Sequence, residues 1–476
     1  MKRNIFLSLL LLVVTISAHG GTMNESARKI RYPDEKSYIF RVMLSDKNGT
    51  PFSLERPREF LSRKAMERRK RQNLPVDSTD LPVNPAYLDL LAIDGIKVVG
   101  TSRWHNSALV LTTDTAAIAP LRMLDCVRQC TMVWQSPDSI TPPAKRYNYH
   151  ETFNSWDSVA TSRYGASEEQ TATLNGQPLH KAGFTGRGMT IAVLDGGFRN
   201  ADRIPVFRKI RMAGTHDFVY PPSKDIYRET DHGTKVLSVM GTCAPHVYIG
   251  TAPDATYWLL RCEDTQTEQP VEEDYWTMAA EFADSVGADI INSSVGYNQY
   301  DRHHGDHRYS EMDGRTAMIS RSASMLADKG IVLVCSAGNS GMGPWKKIMF
   351  PADADNIITV GALTPQLVNA PFSGVGPTQD GRVKPDVMAP GSPATVISSR
   401  GMVMPDMGTS FASPLVCGLV ACLWQSMPGK TAREIIDIVR RSCSNYATPD
   451  NVFGYGIPDF APPATELYKN QVQVSP

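Results

Sequence analysis

From about residue 176 onward the chain alternates short, almost unbroken apolar runs with longer amphipathic ones, and no other feature limits its fold as strongly. Thr190-Ile191-Ala192-Val193-Leu194, Thr256-Tyr257-Trp258-Leu259-Leu260, Asp289-Ile290-Ile291-Asn292, Ile331-Val332-Leu333-Val334-Cys335 and Ile357-Ile358-Thr359-Val360 read as strands. Between them, 272–286 carries Ala279, Phe282, Ala283 and Val286 at helical spacing and stops at Gly287; a second helix over 317–329 stops at Gly330. Strands apolar on both faces must be covered on both faces. The pattern predicts an α/β domain over 176–465, with a mainly parallel sheet and helices on either side.

A length of 476 residues exceeds what one core of about 250–300 residues holds, so a second unit is expected upstream. Tyr38-Ile39-Phe40-Arg41-Val42-Met43-Leu44 reads as a strand and Lys47-Asn48-Gly49 as a turn. A helix is predicted over 56–71, with Phe60, Leu61 and Ala65 on one face, and strands over 96–100 and 108–111. With a short helix and a strand near Met132-Val133-Trp134, these form a small α+β module over 36–135. Residues 136–175, rich in Pro, Ser, Thr and Tyr, predict a linker. Arg63-Lys64 and Arg68-Arg69-Lys70-Arg71 read as a solvated helix face; no aromatic interleaving marks a nucleic-acid surface. Lys+Arg and Asp+Glu both number 49, so the charge balance gives no reason to expect nucleic acid or a charged membrane as partner.

Lys2 and Arg3 precede an apolar run from Ile5 to Val14 and a small-residue stretch ending at Gly21. This is the pattern of a secretory signal peptide over 1–21, too short to span a bilayer. No later stretch approaches about 20 uninterrupted apolar residues. The expectation is an exported chain, periplasmic or extracellular, with no membrane span after processing. Export permits disulfides, and Cys126–Cys130 and Cys243–Cys262 are the open pairings. No Cys/His spacing suggests zinc.

In an open α/β sheet, ligands bind beyond the carboxyl ends of the strands. Four polar residues are candidates by that rule. Asp195 directly follows an apolar strand and precedes Gly196-Gly197. His232 begins a helix running to about Gly241, with Thr230 or Asp231 as its cap. Asn339 lies in Ser336-Ala337-Gly338-Asn339-Ser340-Gly341, just after a strand. Ser410 lies in Gly408-Thr409-Ser410-Phe411-Ala412-Ser413-Pro414 and opens an apolar helix, whose N–H groups face any developing negative charge. Pro414 is expected in that helix's first turn. Taken singly, each motif also reads as an ordinary turn or cap.

Together, in the order Asp, His, Asn, Ser, the motifs Val-Leu-Asp-Gly-Gly, His-Gly-Thr-Lys-Val, Ser-Ala-Gly-Asn-Ser-Gly and Gly-Thr-Ser-Phe-Ala-Ser-Pro resemble the signatures of the subtilisin-like serine peptidase family over roughly 176–460. The resemblance implies peptide-bond hydrolysis, with Ser410 as nucleophile, His232 as general base, Asp195 as orienting carboxylate and Asn339 as oxyanion donor. Ser294, Val295 and Gly296 resemble the family segment that pairs with an extended peptide, and Gly296 and Gly338 are expected to leave room for the side chain before the scissile bond. The acidic run Glu268, Glu272, Glu273 and Asp274 reads as a solvated first helical turn, where acids are favoured, more than as a contact for basic substrates. The chain departs from the family pattern at Gly196, where Ser or Thr is usual, and at Lys235, where a second His is usual.

By the same resemblance, 36–135 corresponds to a pro-domain that assists folding and blocks the cleft as an intramolecular inhibitor, with a cleavage site in 136–175. No cofactor is needed for such catalysis. Structural calcium is frequent in the family, but no diagnostic ligand loop stands out here. A binding protein with a decayed site would be expected to have lost one of the four residues. An α/β-hydrolase esterase would need Gly-x-Ser-x-Gly and the order Ser, acid, His. A metallopeptidase would usually carry His-Glu-x-x-His. Neither motif is present.

Overall fold

The computed structural model describes residues 30–31, 36–142, 146, 161–221, 223 and 225–461. The signal-peptide expectation over 1–21 lies outside them.

In the N-terminal module, β1 (Tyr38–Leu44), α1 (Arg63–Arg71), α2 (Pro85–Leu91), β2 (Ile96–Ser102), β3 (Ser107–Thr112) and β4 (Val127–Gln135) form a small α+β unit. Its antiparallel sheet has the order β2-β3-β1-β4. The helix expected over 56–71 is two pieces. Pro57 opens a single 3-10 turn, and α1 restarts after Ser62, whose side chain accepts from Ala65 N.

The larger unit follows the predicted alternation. Its strands are β5 (Thr190–Asp195), β6 (Arg211–Asp217), β7 (Thr256–Arg261), β8 (Ile290–Ser293), β9 (Val332–Ser336), β10 (Ile358–Leu363) and β11 (Val387–Pro390). They form one parallel sheet of order β11-β10-β9-β8-β5-β7-β6. After β5 the chain goes to the edge at β6 and returns to place β7 between them, and from β8 it builds outward on the other side. The strand order therefore reverses between β5 and β8, which is where a ligand crevice is expected.

Side-chain alternation splits the core into two layers. Ile191, Val193, Val332 and Val334 face α3 (His232–Gly241) and α6 (Thr409–Ser426). Ala192, Leu194, Ile291 and Leu333 face the opposite way, toward α4 (Val271–Val286) and α5 (Met318–Met325). Gly287 ends α4 at φ +84°, its N–H bonded to Ala283 O and Asp284 O. The helix expected over 317–329 is α5 followed by a 3-10 turn to Lys329, with Gly330 at φ +81°. Among the described residues α6 is the single helix long and apolar enough to cross a membrane, yet 89% of it is buried inside the fold. The hairpin β12 (Ala394–Ile397) and β13 (Val403–Asp406) packs on α3, and α7 (Ala432–Arg441) closes the fold.

Two expectations are corrected by these contacts, and one open question is answered. The basic cluster on α1 is not a solvated face. Arg68 and Arg69 are 0% and 1% exposed, and both bind the Asp284 carboxylate on α4. Arg103 reaches the same carboxylate at 2.7 Å, and Arg69 also binds Asp80 at 2.9 Å. Nor is the start of α4 a solvated turn: Glu272, Glu273 and Asp274 are all buried, and Asp274 pairs with Arg41 of β1 at 2.5 Å. The module thus lies with its sheet on α4, where Trp104, Leu109 and Trp134 join the core layer of that side. Finally, all eight cysteines are free. Four residues of strand span about 13 Å, too far for Cys126 to reach Cys130.

Within 136–175, Ser139–Ile140 pairs with Ile30–Arg31. Further on, Glu168–Thr173 is helical, and Gln170 bonds Tyr248 Oη and both backbone groups of Thr395. That last stretch packs into the larger unit.

Candidate active site

β5 ends at Asp195, which is fully buried, and the next residue turns away so that Gly196 N donates to Asp195 Oδ1 at 2.8 Å. His232, the first residue of α3, points its Nδ1 at both carboxylate oxygens, at 3.0 and 2.9 Å. Asp231 occupies the cap position, but its carboxylate is bound to Ser399 Oγ and Lys235 Nζ instead of capping the helix. Burial works to lower the His232 pKa. The Asp195 charge and hydrogen bond, with a contribution from Glu263, outweigh burial and the Lys235 cation and raise it to about 9. An Asp held on Nδ1 fixes the tautomer that leaves Nε2 free to accept a proton.

Ser410 is the second residue of α6 and is 7% exposed. Its Oγ donates to Ser294 O at 3.2 Å, not to His232. Ser294 Oγ in turn donates to Ser410 O at 2.9 Å. Pro414 explains the second bond. It lies in the second turn of α6, not the first, and lacks the N–H that would bond the carbonyl four residues back. That carbonyl is Ser410 O, and Ser294 satisfies it. Asn292 of β8 completes the junction, donating from Nδ2 to Ser294 Oγ at 2.9 Å and accepting from Ser413 Oγ at 3.0 Å. Sequence reading passed over Asn292, although an amide inside an apolar strand is the signal that marks it. The His232 ring packs 5.5 Å from Phe411.

Asn339 follows β9 on an exposed loop. Its Oδ1 accepts from both the N–H and the hydroxyl of Thr409, each at 3.0 Å. This assigns the amide's orientation: the oxygen is tied to the start of α6 and the Nδ2 donors are turned away from Thr409. Thr409 Oγ1 also accepts from Gly338 N at 3.1 Å, so one threonine holds two successive residues of that loop.

The four substrate-binding candidates, Ser294, Val295, Gly296 and Gly338, lie just beyond β8 and β9. Val295 is 4% exposed and belongs to the core layer under α4. Gly296 and Gly338 do not open onto empty space. A Cβ on Gly338, which sits at φ +91°, would come within 2.5 Å of Met349, and one on Gly296 within 3.2 Å of it. The half-buried Met349 fills the volume between the two glycines. Both departures from the family pattern also have structural partners. A Cβ on Gly196 would lie 2.6 Å from Glu263 Oε2. Lys235 ties Asp231 on α3 to Asp406 on β13, the latter at 3.1 Å.

The arrangement therefore offers a carboxylate–imidazole pair, a hydroxyl at a helix start, and amide donors at the switch point of a parallel sheet. The profile of the subtilase family matches residues 186–456, and that of the Peptidase S8 propeptide domain of Bacteroidota matches 39–148. Serine protease AprX of Bacillus subtilis (strain 168) is 27% identical over 323 residues, which cover 61% of this chain and 68% of that protein. Subtilisin NAT of Bacillus subtilis subsp. natto is 26% identical over 298 residues, covering 62% and 69% respectively.

Proposed function

The chain belongs to the subtilase family and is a serine endopeptidase with an N-terminal propeptide domain, and on that footing we propose that Ser410 is its nucleophile, His232 the general base and Asp195 the carboxylate that orients it. The observation that carries this reading is the double contact of His232 Nδ1 with the buried Asp195, at the mouth of the sheet where α6 begins. A serine hydroxyl is a weak nucleophile at neutral pH and needs such a base.

Rotation of the Ser410 side chain away from Ser294 O brings its hydroxyl to His232 Nε2. Oγ then attacks the substrate carbonyl as Nε2 takes the proton. The oxyanion is held by Asn339 Nδ2 and by the Ser410 backbone N–H, which the helix start leaves without an intrahelical partner. The imidazolium, stabilised by Asp195, returns the proton to the leaving amine. Water repeats the sequence on the acyl-enzyme.

Residues 294–296 bind the extended substrate through their backbone, since the side chains of Ser294 and Val295 are engaged inward. Gly338 approaches the same cleft, and Met349 bounds the pocket before the scissile bond. The propeptide domain acts as an intramolecular inhibitor that is cut away within 136–175. The N-terminal pattern supports export, to the periplasm or the medium.

Intact mass with and without a fluorophosphonate probe tests the assignment. One adduct mapping to Ser410, absent in Ser410→Ala, is the expected result. A cleaved, folded chain that takes no adduct would overturn it.

A further inference from the structure

Beside the catalytic pair lies a carboxylate cluster that the mechanism above does not use. Glu263 follows β7, Glu268 lies in the next loop, and Glu272 is the second residue of α4. One oxygen from each lies within 4.8 Å of the other two. Glu272 is 0% exposed, and its Oε2 has no hydrogen-bond partner. Its Oε1 accepts only a long bond, 3.3 Å, from Gln269 N. Among the described residues no Lys or Arg forms an ion pair with any of the three. Arg261, whose charge reaches Glu263, is bound to Asp217 and Glu229.

A second observation comes from a different element. Tyr297, just beyond β8, is fully buried, and its hydroxyl is also without a partner. The charges acting most strongly on that hydroxyl are those of Glu272 and Glu263, so it faces the same cluster. Buried polar atoms are nearly always bonded, and two orphans aimed at one group of carboxylates call for a common ligand.

We propose that Glu263, Glu268 and Glu272 form a binding site for a hard divalent cation of the calcium class, with Tyr297 hydrogen-bonding its oxygen shell. Calcium takes 6–8 oxygen ligands at about 2.3–2.6 Å and tolerates irregular arrangements, which suits oxygens at this mutual separation. An ion there also removes the repulsion of the empty cluster. Burial, together with the neighbouring carboxylates, pushes Glu263 up to about 7, Glu268 up to about 8 and Glu272 well above the ordinary carboxylate range. Gly196 is the residue that makes this possible, because a side chain there would collide with Glu263 Oε2. Tyr297 directly follows the segment 294–296, so the ion would brace the peptide-binding edge. That last role rests on the proposed function; binding of the ion does not.

The test uses the full chain carrying Ser410→Ala, stripped with EDTA and titrated with CaCl2 by calorimetry and with Tb3+ by tyrosine- and tryptophan-sensitised luminescence. One calcium is expected to bind, and Glu272→Gln should weaken it at least tenfold. Thermal unfolding separates loss of the site from loss of the fold. Without calcium, Glu272→Gln should melt at or above the parent, and it should lack the parent's calcium-dependent rise. Glu67→Gln, on an exposed carboxylate of α1, should bind as the parent does. No calcium binding in the parent, or equal binding in Glu272→Gln, overturns the proposal. So does a tenfold preference of the calcium-free active enzyme for Lys- or Arg-containing peptides that Glu272→Gln abolishes, which would give the cluster to a substrate side chain. None of these results bears on the labelling of Ser410, so the two readings fail independently.

Discussion

The Asn339 amide is fixed before any substrate arrives. Thr409 holds its oxygen twice, so in the proposed mechanism the donors need no reorganisation when charge develops on the substrate. Removing one such donor in a subtilisin costs about 10²–10³ in turnover. Asn339→Ala should therefore lower kcat by about that factor with little change in KM, read from steady-state kinetics. Asn339→Asp keeps the acceptor for Thr409 but places negative charge at the oxyanion, and should do at least as much harm. His232 gives a second prediction. Its pKa is raised to about 9, with burial and Lys235 opposing and Asp195 and Glu263 prevailing. In the proposed mechanism only the neutral imidazole can accept a proton from Ser410. In calcium-free buffer kcat/KM should rise with pH toward a plateau above about 9. A profile flat from pH 7 upward would contradict the assignment. The same shift has a stability counterpart of defined sign. A group raised in the folded state stabilises fully below its unfolded value of about 6.5, and the contribution fades as pH rises through about 9. Neutralising Asp195 by Asp195→Asn should remove that slope from a pH series of denaturation midpoints.

Elements were legible in the sequence where local rules decide them. The strands at β5, β7, β8, β9 and β10 announce themselves by unbroken apolar runs, and α4 and the turn after α5 by the glycines that stop them. The places of the candidate site residues in the fold were legible for a related reason: short glycine-bearing turns after apolar strands are where a parallel sheet brings its ligand-facing residues. β6 was not, because Arg211–Asp217 is an edge strand whose exposed first residues carry no apolar run. The charged runs on α1 and α4 were misread for a deeper reason. Solvation of a charge depends on its partner, and Arg68 and Asp284 are 216 residues apart. Asp284 now anchors three arginines, whose charges hold its carboxyl below the usual range against the opposing effect of burial. Breaking a buried ion pair from one side costs about 3–5 kcal/mol. Asp284→Ala, in the Ser410→Ala background, should lower the urea midpoint of the full chain by a corresponding amount. A shift under about 0.5 kcal/mol would mean that the seam does not hold the two units together.

For the whole molecule, the question is what would keep the propeptide domain in place after the proposed cut. Its contacts include apolar burial around Trp104 and Trp134, the charge network on α4, and neutral hydrogen bonds such as those of Gln72 to Gly330 O and Ala432 N. Ordinary salt screens exposed charges beyond about 8–10 Å, but buried pairs far less. The cleaved domain should therefore co-elute with the enzyme on a sizing column in 1 M NaCl. Separation at that ionic strength would show that the arginines act mainly through solvent.

The burial of Asp274, Glu281, Asp284 and Asp289 beneath the propeptide domain has one more consequence. Once that cover is gone, an inner seam becomes an outer wall. An all-apolar seam would leave a face inclined to stick to its neighbours. This one would meet water with a row of carboxylates, so the acids proposed to hold the cover on would also help to keep the uncovered enzyme dispersed.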